Sequence, residues 1–146
     1  MLFRSHVTHS LSHELKRKNA KVRLILPEVV VIDSYPGSYS QVLTNLIMNS
    51  LIHGFDKSQN GLITIEANVI DENLEIHYRD NGIGMNEELL EKVWQPYFTT
   101  KRDKGGSGLG MQIIYNIVVR VLKGHVTFSS QLNQGVYCYI SVPKKL

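Results

Sequence analysis

Five short stretches of the chain carry the apolar patterns of β-strands. They comprise residues 21–26, 62–70, 74–79, 126–129 and 136–142, and residues 29–32 form a further short apolar run. The first of them, KVRLIL, alternates polar and apolar side chains, as a strand does when only one of its faces is buried. The turn sequence DEN between the second and third stretches predicts a β-hairpin.

Two longer segments repeat apolar residues every three or four positions, which is the spacing of one face of an α-helix. These helices are predicted over residues 39–53 and 109–122. A shorter helix, capped by Asn86, is predicted before the long polar segment 95–108, which we expect to form a lid. A helical tail over residues 5–18 precedes the first strand.

This order of elements predicts an α+β fold. We expect a two-layer α/β sandwich, with one mixed sheet of about five strands and three helices on one face. Residues 1–19 are expected to be the tail of a preceding linker helix, and residues 20–146 a single domain. A chain of 146 residues is long enough to bury a proper core.

The composition is that of an ordinary globular protein, with 42% hydrophobic residues and a net charge of +3. That charge is too small to predict nucleic-acid binding. The single cysteine, Cys138, cannot form an intrachain disulfide and is predicted to be a core residue. The chain has no apolar stretch of about 18 residues and no leader, so the expected location is cytoplasmic, although a parent protein could be membrane-anchored.

Asn45 and Asn49 interrupt the apolar pattern of the first long helix. Because they are four residues apart, both amides project from one face. A hard cation such as Mg²⁺ takes oxygen ligands and keeps waters and phosphate oxygens, so one Asn carbonyl can serve it. Two polar residues at a helix edge, bonded to backbone, would give the same pattern.

The sequence DNGIG at residues 80–84 follows directly on a predicted strand. The carboxylate of Asp80, at the strand end, can accept a hydrogen bond from an exocyclic amine such as that of adenine. Gly82 and Gly84 let the backbone turn sharply and approach a flat ring closely. A simple strand-exit turn is the alternative interpretation, since these residue types also favour turns.

The second long helix opens on the glycine-rich sequence GGSGLG, residues 105–110. Free N–H groups at the start of a helix can bind phosphate. The sequence is neither a P-loop, because no Lys follows Gly110, nor a dinucleotide fingerprint, because no strand directly precedes it. The cations Lys101, Arg102 and Lys104 of the preceding segment could neutralise phosphate or could simply be solvated.

In combination, the ordered motifs Asn-x-x-x-Asn, DNGIG, PYFTTK and GGSGLGM resemble the ATP-binding domain of sensor histidine kinases. The broader group includes the gyrase, heat-shock chaperone and mismatch-repair ATPases, which share the Bergerat-type ATP-binding fold. The resemblance covers about residues 20–146 and implies ATP and Mg²⁺ as cofactors.

The resemblance also implies roles for individual residues. Asn49 resembles the Mg²⁺-chelating asparagine of the family, and Asp80 resembles the residue that bonds the adenine amino group. Asn45 and Lys101 are expected to be catalytic. The other expected ATP contacts are His53, Gly82, Gly84, Met85, Phe98, Thr99, Thr100, Lys101, Gly106, Gly108, Leu109 and Gly110. Val136 departs from the hydroxyl residue that the family often has at its position.

Two further positions bear on the branch of the family. In the hydrolytic relatives a Glu at the position of Asn45 activates water, whereas an amide cannot act as a general base, so the kinase branch is favoured. His13 lies in a sequence similar to the phosphoacceptor motif of these kinases. However, it precedes Asn49 by only 36 residues, which leaves no room for the second long helix of a dimerisation domain. We therefore expect His13 to belong to the linker helix.

The implied function is transfer of the ATP γ-phosphoryl group to a histidine on a separate dimerisation domain, in two-component signal transduction with a downstream response regulator. The isolated domain is expected to be monomeric and unable to phosphorylate itself, and its parent homodimeric. Two alternatives stay open. One is a serine protein kinase of the anti-sigma-factor type, and the other is a nucleotide-sensing interaction module without chemistry.

Overall fold

In the part of the chain that the structure describes, five strands form a mixed sheet, which is one layer of the protein. The structure is a computed structural model that describes residues 15–16, 19–26, 36–55, 60–92 and 110–144. The strands are β1 (Ala20–Ile25), β2 (Gly61–Ile70), β3 (Asn73–Asp80), β4 (His125–Ser130) and β5 (Val136–Pro143). Their order across the sheet is β1-β2-β3-β5-β4. The β1–β2 pair is parallel and the other three pairs are antiparallel, as predicted for a mixed sheet.

The register of the β2–β3 hairpin places Asp80 beside the beginning of β2. Ile70 pairs with Asn73 across a two-residue turn, in which Asp71 has a φ of 55°. An aspartate tolerates this left-handed conformation better than most residues. Seven residues further along each strand, Ile63 pairs with Asp80. The hairpin therefore carries the DNGIG loop to the opposite end of the sheet from its turn.

Among the described residues, three helices pack as the second layer. Helix α1 spans Pro36–Asn49 and continues as a π-helical turn, Ser50–Gly54. Helix α2 spans Glu87–Lys92, and helix α3 spans Gly110–Tyr115 and continues as a π-helical segment, Asn116–Val121. Helix α1 begins three residues before the predicted start, because the fixed φ of proline suits the first turn of a helix.

The predicted cap of α2 is confirmed. The backbone N–H of Leu89 donates to Oδ1 of Asn86 at 2.8 Å, which satisfies one of the free donors of the first turn. Glu87 and Glu88 occupy that turn, where the helix dipole favours negative charge, and Lys92 occupies the last turn. The side chains of Lys92 and Glu88 also form an ion pair at 3.0 Å on the exposed side of the helix.

The core lies between the helices and one face of the sheet. Fully buried residues from α1, α3 and the strands meet there, and they include Val42, Leu43, Leu46, Ile47, Ile63, Ile65, Ile76, Tyr78, Ile114, Val118, Cys138 and Ile140. The predicted core position of Cys138 is confirmed, since its exposure is 0%. Alternation along the strands leaves polar side chains on the other face, where Arg79 lies 4.4 Å from the ring centre of Tyr137.

Several predicted segments fall on the undescribed parts of the chain. Of the predicted helical tail, the structure describes Leu15 and Lys16, which are helical, and the predicted domain boundary at residue 20 stays a prediction. The predicted lid, residues 95–108, lies outside the described residues. Within the described residues, no helix is long and apolar enough to cross a membrane.

Candidate functional site

Asp80 ends β3 with a buried carboxylate, 8% of the residue being exposed. Its Oδ1 accepts hydrogen bonds from the backbone N–H groups of Gly82 at 3.0 Å and Val136 at 3.1 Å. Its Oδ2 accepts one from the hydroxyl of Ser50 at 2.7 Å. A carboxylate offers about four acceptor positions. Three are used within the protein, so one position on Oδ2 is available to a ligand that donates a hydrogen bond.

The loop after Asp80 packs backbone against backbone. The N–H of Ile83 donates to the carbonyl of Gly54 at 2.8 Å, which joins the loop to the π-helical turn of α1. A Cβ on Gly82 would lie 2.3 Å from that same oxygen. Gly84 has a φ of +67°, and a Cβ there would lie 2.0 Å from the carbonyl oxygen of Gln131. Both positions therefore require glycine for close backbone approach.

Met85 is held on the side of the site formed by β4 and β5. Its backbone N–H donates to the hydroxyl of Ser130 at 2.8 Å, and that hydroxyl donates to the carbonyl of Gly135 at 2.6 Å. The side chain of Met85 is half-buried. The structure thus brings Asp80, Gly82, Gly84 and Met85 into one connected loop, as the sequence motif predicts.

Asn49 lies where α1 meets the start of α3. Its amide nitrogen donates to the sulfur of Met111 at 3.6 Å. Its Oδ1 lies 3.3 Å from the place that a Cβ on Gly110 would occupy, and Gly110 is the first residue of α3. The predicted partners Asn49 and Gly110 are therefore adjacent. One N–H of the amide is engaged by sulfur, which turns the nitrogen toward Met111 and leaves the carbonyl oxygen as the acceptor atom that Asn49 can offer to a ligand.

Asn45 lies one turn before Asn49 on the same face of α1. Its amide nitrogen is buried and has no hydrogen-bond partner among the described residues. A buried donor of this kind normally has a partner, so an unsatisfied one marks a place where a bound group could complete the structure. His53 lies in the π-helical turn and is half-buried.

Two residues of the site, Ser50 and Tyr78, are not among the site residues predicted from the sequence. Ser50, immediately after Asn49, falls on the apolar stripe of α1, and Tyr78 falls on the buried face of β3. The hydroxyl of Tyr78 hydrogen-bonds to that of Ser50 and donates to the carbonyl of Leu46 at 2.9 Å. Burial raises the pKa of Tyr78 well above its ordinary value. The sequence feature that could have indicated Ser50 is a hydroxyl residue on an apolar helix face. A buried hydroxyl requires a hydrogen-bond partner, so its presence there points to a polar contact.

The remaining predicted site residues lie outside the described residues, and their roles stay predictions. They are Phe98, Thr99, Thr100, Lys101, Gly106, Gly108 and Leu109. The same is true of His13. The described part of the site therefore consists of the C-terminal part of α1 with its π-helical turn, the DNGIG loop and the beginning of α3.

The sequence of residues 34–146 matches the family described as histidine kinase-, DNA gyrase B- and HSP90-like ATPase. The chain belongs to this family of ATP-binding domains. The resemblance to the catalytic domain of sensor histidine kinases is confirmed, and so is the two-layer α/β fold, because the chain superposes on the catalytic domain of histidine kinase ThkA. That superposition has a TM-score of 0.81 and 26% identity, and it covers 98% of this chain and 91% of the ThkA domain.

Relatives by sequence include kinases and anti-sigma factors. Sensor histidine kinase AtsR of Burkholderia thailandensis is 30% identical over 139 residues, which is 90% of this chain and 22% of AtsR. Anti-sigma F factor of Geobacillus stearothermophilus is 30% identical over 99 residues, which is 68% of this chain and 63% of that factor. The chain spans only 14% to 30% of the length of four relatives, which are two sensor proteins, sensor histidine kinase AtsR and a sporulation kinase.

Proposed function

We propose that this chain binds Mg-ATP and supplies the γ-phosphoryl group for phosphorylation of a histidine on a separate dimerisation domain. The observation that carries the proposal is the buried carboxylate of Asp80, which keeps one acceptor position on Oδ2. The exocyclic amine of adenine is a donor that fits this position. A ligand with a carbonyl oxygen there would place an acceptor against an acceptor.

Asn49 is the residue we propose to hold Mg²⁺. Its carbonyl oxygen is a neutral, hard ligand of the type that Mg²⁺ takes. No group of three or more His, Cys, Asp or Glu suited to a metal occurs within the described residues. A single amide oxygen together with the nucleotide phosphates fits an ion that reaches the protein with its nucleotide. When bound, Mg²⁺ neutralises the negative charge of the phosphates.

Asn45 and Lys101 are proposed to act on the transferred phosphoryl group. The unsatisfied amide donor of Asn45 is a neutral group that can hydrogen-bond to phosphate but cannot remove a proton. Lys101 would contribute positive charge from the lid. The chain would therefore position and stabilise the phosphoryl group, while the acceptor histidine comes from the dimerisation domain.

A response regulator is the proposed downstream partner. Histidine kinase ThkA has been solved in complex with the response regulator protein TrrA, and its fold is that of this chain over 98% of the present sequence. The parent protein would be a homodimer in which this domain serves the dimerisation domain, and it could be membrane-anchored.

The test is transfer in trans. The chain, γ-labelled ATP, Mg²⁺ and a separately expressed dimerisation domain from the parent protein are mixed, and the label is followed on the dimerisation domain. We expect acid-labile, base-stable label on its histidine. Failure to bind ATP in calorimetry would contradict the proposal at its first step, and binding without any transfer would favour a nucleotide-sensing module.

A serine protein kinase is the second candidate, favoured by the 30% identity to anti-sigma F factor over 63% of that protein. It would place acid-stable label on a serine of a small partner protein. The amide at position 45 argues against it, because serine phosphorylation benefits from a general base near the phosphate. The chemical stability of the labelled product separates the two candidates.

A further inference from the structure

We infer that Tyr78 is a positioning residue of the proposed adenine pocket, acting through Ser50 on the carboxylate of Asp80. This inference rests on the proposed function, in which Asp80 accepts a hydrogen bond from the base. Tyr78 lies outside the motifs that predict the site, and neither Tyr78 nor Ser50 is among the predicted site residues.

A continuous chain of buried polar atoms joins the three residues. The hydroxyl of Tyr78 contacts that of Ser50, and the hydroxyl of Ser50 donates to Oδ2 of Asp80 at 2.7 Å. Tyr78 is 1% exposed and Ser50 is 3% exposed. In such surroundings hydrogen bonds are stronger than in water and polarise one another, so the three groups are expected to act as a unit.

The two oxygens of Asp80 are held differently. Oδ1 is fixed by two backbone N–H groups, those of Gly82 and Val136. Oδ2, the oxygen with the unused acceptor position, is held by the hydroxyl of Ser50. That hydroxyl can rotate about its own C–O bond, so a partner is needed to fix its direction. Tyr78 is that partner, and its ring is locked within the core.

The proton count supports a directional chain. Tyr78 and Ser50 bring two hydroxyl protons to three contacts, which are Tyr78 to Leu46, Tyr78 to Ser50 and Ser50 to Asp80. The carbonyl of Leu46 is an acceptor and never a donor, and the same is true of the Asp80 side chain as a carboxylate. If Tyr78 donates to Leu46, the single Ser50 proton is divided between the oxygens of Tyr78 and Asp80, whereas if Tyr78 donates to Ser50, the Ser50 proton is directed to Asp80. The strength of the hydrogen bond to Asp80 therefore depends on where Tyr78 places its own proton.

The position of Ser50 in the helix explains why it is held by Tyr78. Ser50 is the first residue of the π-helical turn, and the carbonyl of Leu46 lies one turn earlier, where α1 changes from α to π geometry. Single π-helical turns within helices occur frequently at functional sites. By contacting both the carbonyl of Leu46 and the hydroxyl of Ser50, Tyr78 ties this transition to the residue that donates to Asp80.

The experiment compares two nucleotides on the same proteins. ATP carries the 6-amino group, and purine riboside triphosphate lacks it but is otherwise the same shape. Calorimetry with the intact chain would give both affinities for the unaltered protein and for Tyr78→Phe, which removes only the hydroxyl. We expect Tyr78→Phe to weaken ATP about three- to ten-fold, the effect of losing one hydrogen bond, and to change purine riboside triphosphate by less than about two-fold.

Tyr139→Phe is the matched control. Tyr139 lies on the polar face of the sheet, where its hydroxyl contacts Glu75, and the same change there should leave both affinities unaltered. Equal weakening of both nucleotides by Tyr78→Phe would overturn the inference, because it would reveal a purely structural role. Unchanged ATP affinity would overturn it as well.

Ser50→Ala provides a second route should Tyr78→Phe fold poorly. It should reproduce the loss that is specific to ATP, and the double variant should be little weaker than Ser50→Ala alone, since members of one network are not additive. Additive losses of ATP affinity in the double variant would refute the proposed hydrogen-bonded network of Tyr78, Ser50 and Asp80. If the unaltered protein itself binds both nucleotides equally, the proposed role of Asp80 fails instead, and that result is distinct from any behaviour of Tyr78.

Discussion

At the scale of single residues, Asp80 and Asn49 are held by hydrogen bonds from the protein itself and keep an acceptor position for a ligand. Asp80 receives three hydrogen bonds and Asn49 uses its amide nitrogen on Met111, so each residue presents one oxygen. A ligand that completes such a site meets oriented acceptors that need little reorganisation. Substitutions that conserve size but exchange acceptors for donors should therefore be informative.

Asp80→Asn should weaken the binding of both ATP and ADP. The Oδ1 position faces two backbone donors, so the amide oxygen will settle there and its NH₂ will face Ser50 and the base. Loss of a hydrogen bond to a charged group costs about 1.5–3 kcal/mol, which is roughly ten-fold or more in affinity. Calorimetry on the unaltered protein and on Asp80→Asn measures this change in nucleotide affinity, with Asp71→Asn at the exposed hairpin turn as the matched control. Unchanged affinity would remove Asp80 from the site.

Asn49→Ala should affect ATP binding mainly through the metal. The loss of the carbonyl oxygen should weaken Mg-ATP by more than it weakens ADP without metal, because Mg²⁺ loses its proposed protein ligand. Titrations of both nucleotides with and without Mg²⁺ would show the difference. Asn116→Ala, an exposed amide on the π-helical part of α3, is the control. Equal losses in all conditions would mean that Asn49 is only structural.

Cys138 should be chemically inert in the folded protein. Burial raises the pKa of its thiol far above the ordinary value, and the thiolate is the reactive species. Iodoacetamide should therefore modify the unfolded chain but leave the native chain unmodified.

The same shift makes stability dependent on pH. Above about pH 8.5 the unfolded thiol loses its proton while the folded thiol keeps it, so the free energy of unfolding should fall as pH rises, by at most about 1.4 kcal/mol per pH unit. Cys138→Ala should remove this part of the slope. In the alkylation test, rapid modification of the native protein by iodoacetamide would contradict the burial of Cys138.

At the scale of elements, periodicity predicted where strands and helices lie but not how their ends meet. The five strands and the face of α1 follow from local alternation and spacing, and the cap at Asn86 follows from a single residue. The π-helical turn Ser50–Gly54 does not follow, because one extra residue per turn barely changes the apolar pattern. Contacts between Ser50 and Tyr78 join positions 28 residues apart, and no local pattern specifies them.

The junction between the π-helical turn and the DNGIG loop should be sensitive to a single methyl group. Gly82→Ala would place a Cβ 2.3 Å from the carbonyl oxygen of Gly54, so the two backbones must separate. We expect a loss of stability of about 1–3 kcal/mol, together with weaker ATP binding, because the shift moves the loop next to Asp80. Thermal or urea unfolding gives the first quantity and calorimetry the second.

Gly37→Ala is the control for that substitution. Gly37 lies in the first turn of α1 with nothing within 4 Å of the added Cβ. Alanine there should leave stability unchanged or raise it by up to about 1 kcal/mol, since it restricts the unfolded chain and favours the helix. A Gly82→Ala protein as stable as the unaltered chain would show that the junction is loose and that the loop does not depend on it.

At the scale of the whole molecule, the chain contains an ATP-binding domain that spans a minor part of the length of its sensor-protein and kinase relatives. The family assigns the ATP-binding domain, but family membership is shared by kinases that phosphorylate histidine and by anti-sigma factors. What separates these functions is the acceptor, which a phosphoryl-transfer site of this kind does not itself supply. The decisive behaviour is therefore what the chain does when no other protein is present.

Incubated alone with γ-labelled ATP and Mg²⁺, the chain should gain no acid-labile phosphate. His13 is the residue whose sequence context resembles a phosphoacceptor, and it lies 36 residues before Asn49, too close to leave room for the paired helices that present such a histidine. Catalysis of phosphoryl transfer rests on positioning of the reacting groups together with electrostatic stabilisation, so a histidine without that framework should react negligibly. His13→Gln should therefore leave the background label unchanged, whereas adding the separate dimerisation domain should produce label on that domain and none on this chain. Stoichiometric label on the unaltered chain that His13→Gln abolishes would make His13 the acceptor, and the chain would then be a self-phosphorylating unit.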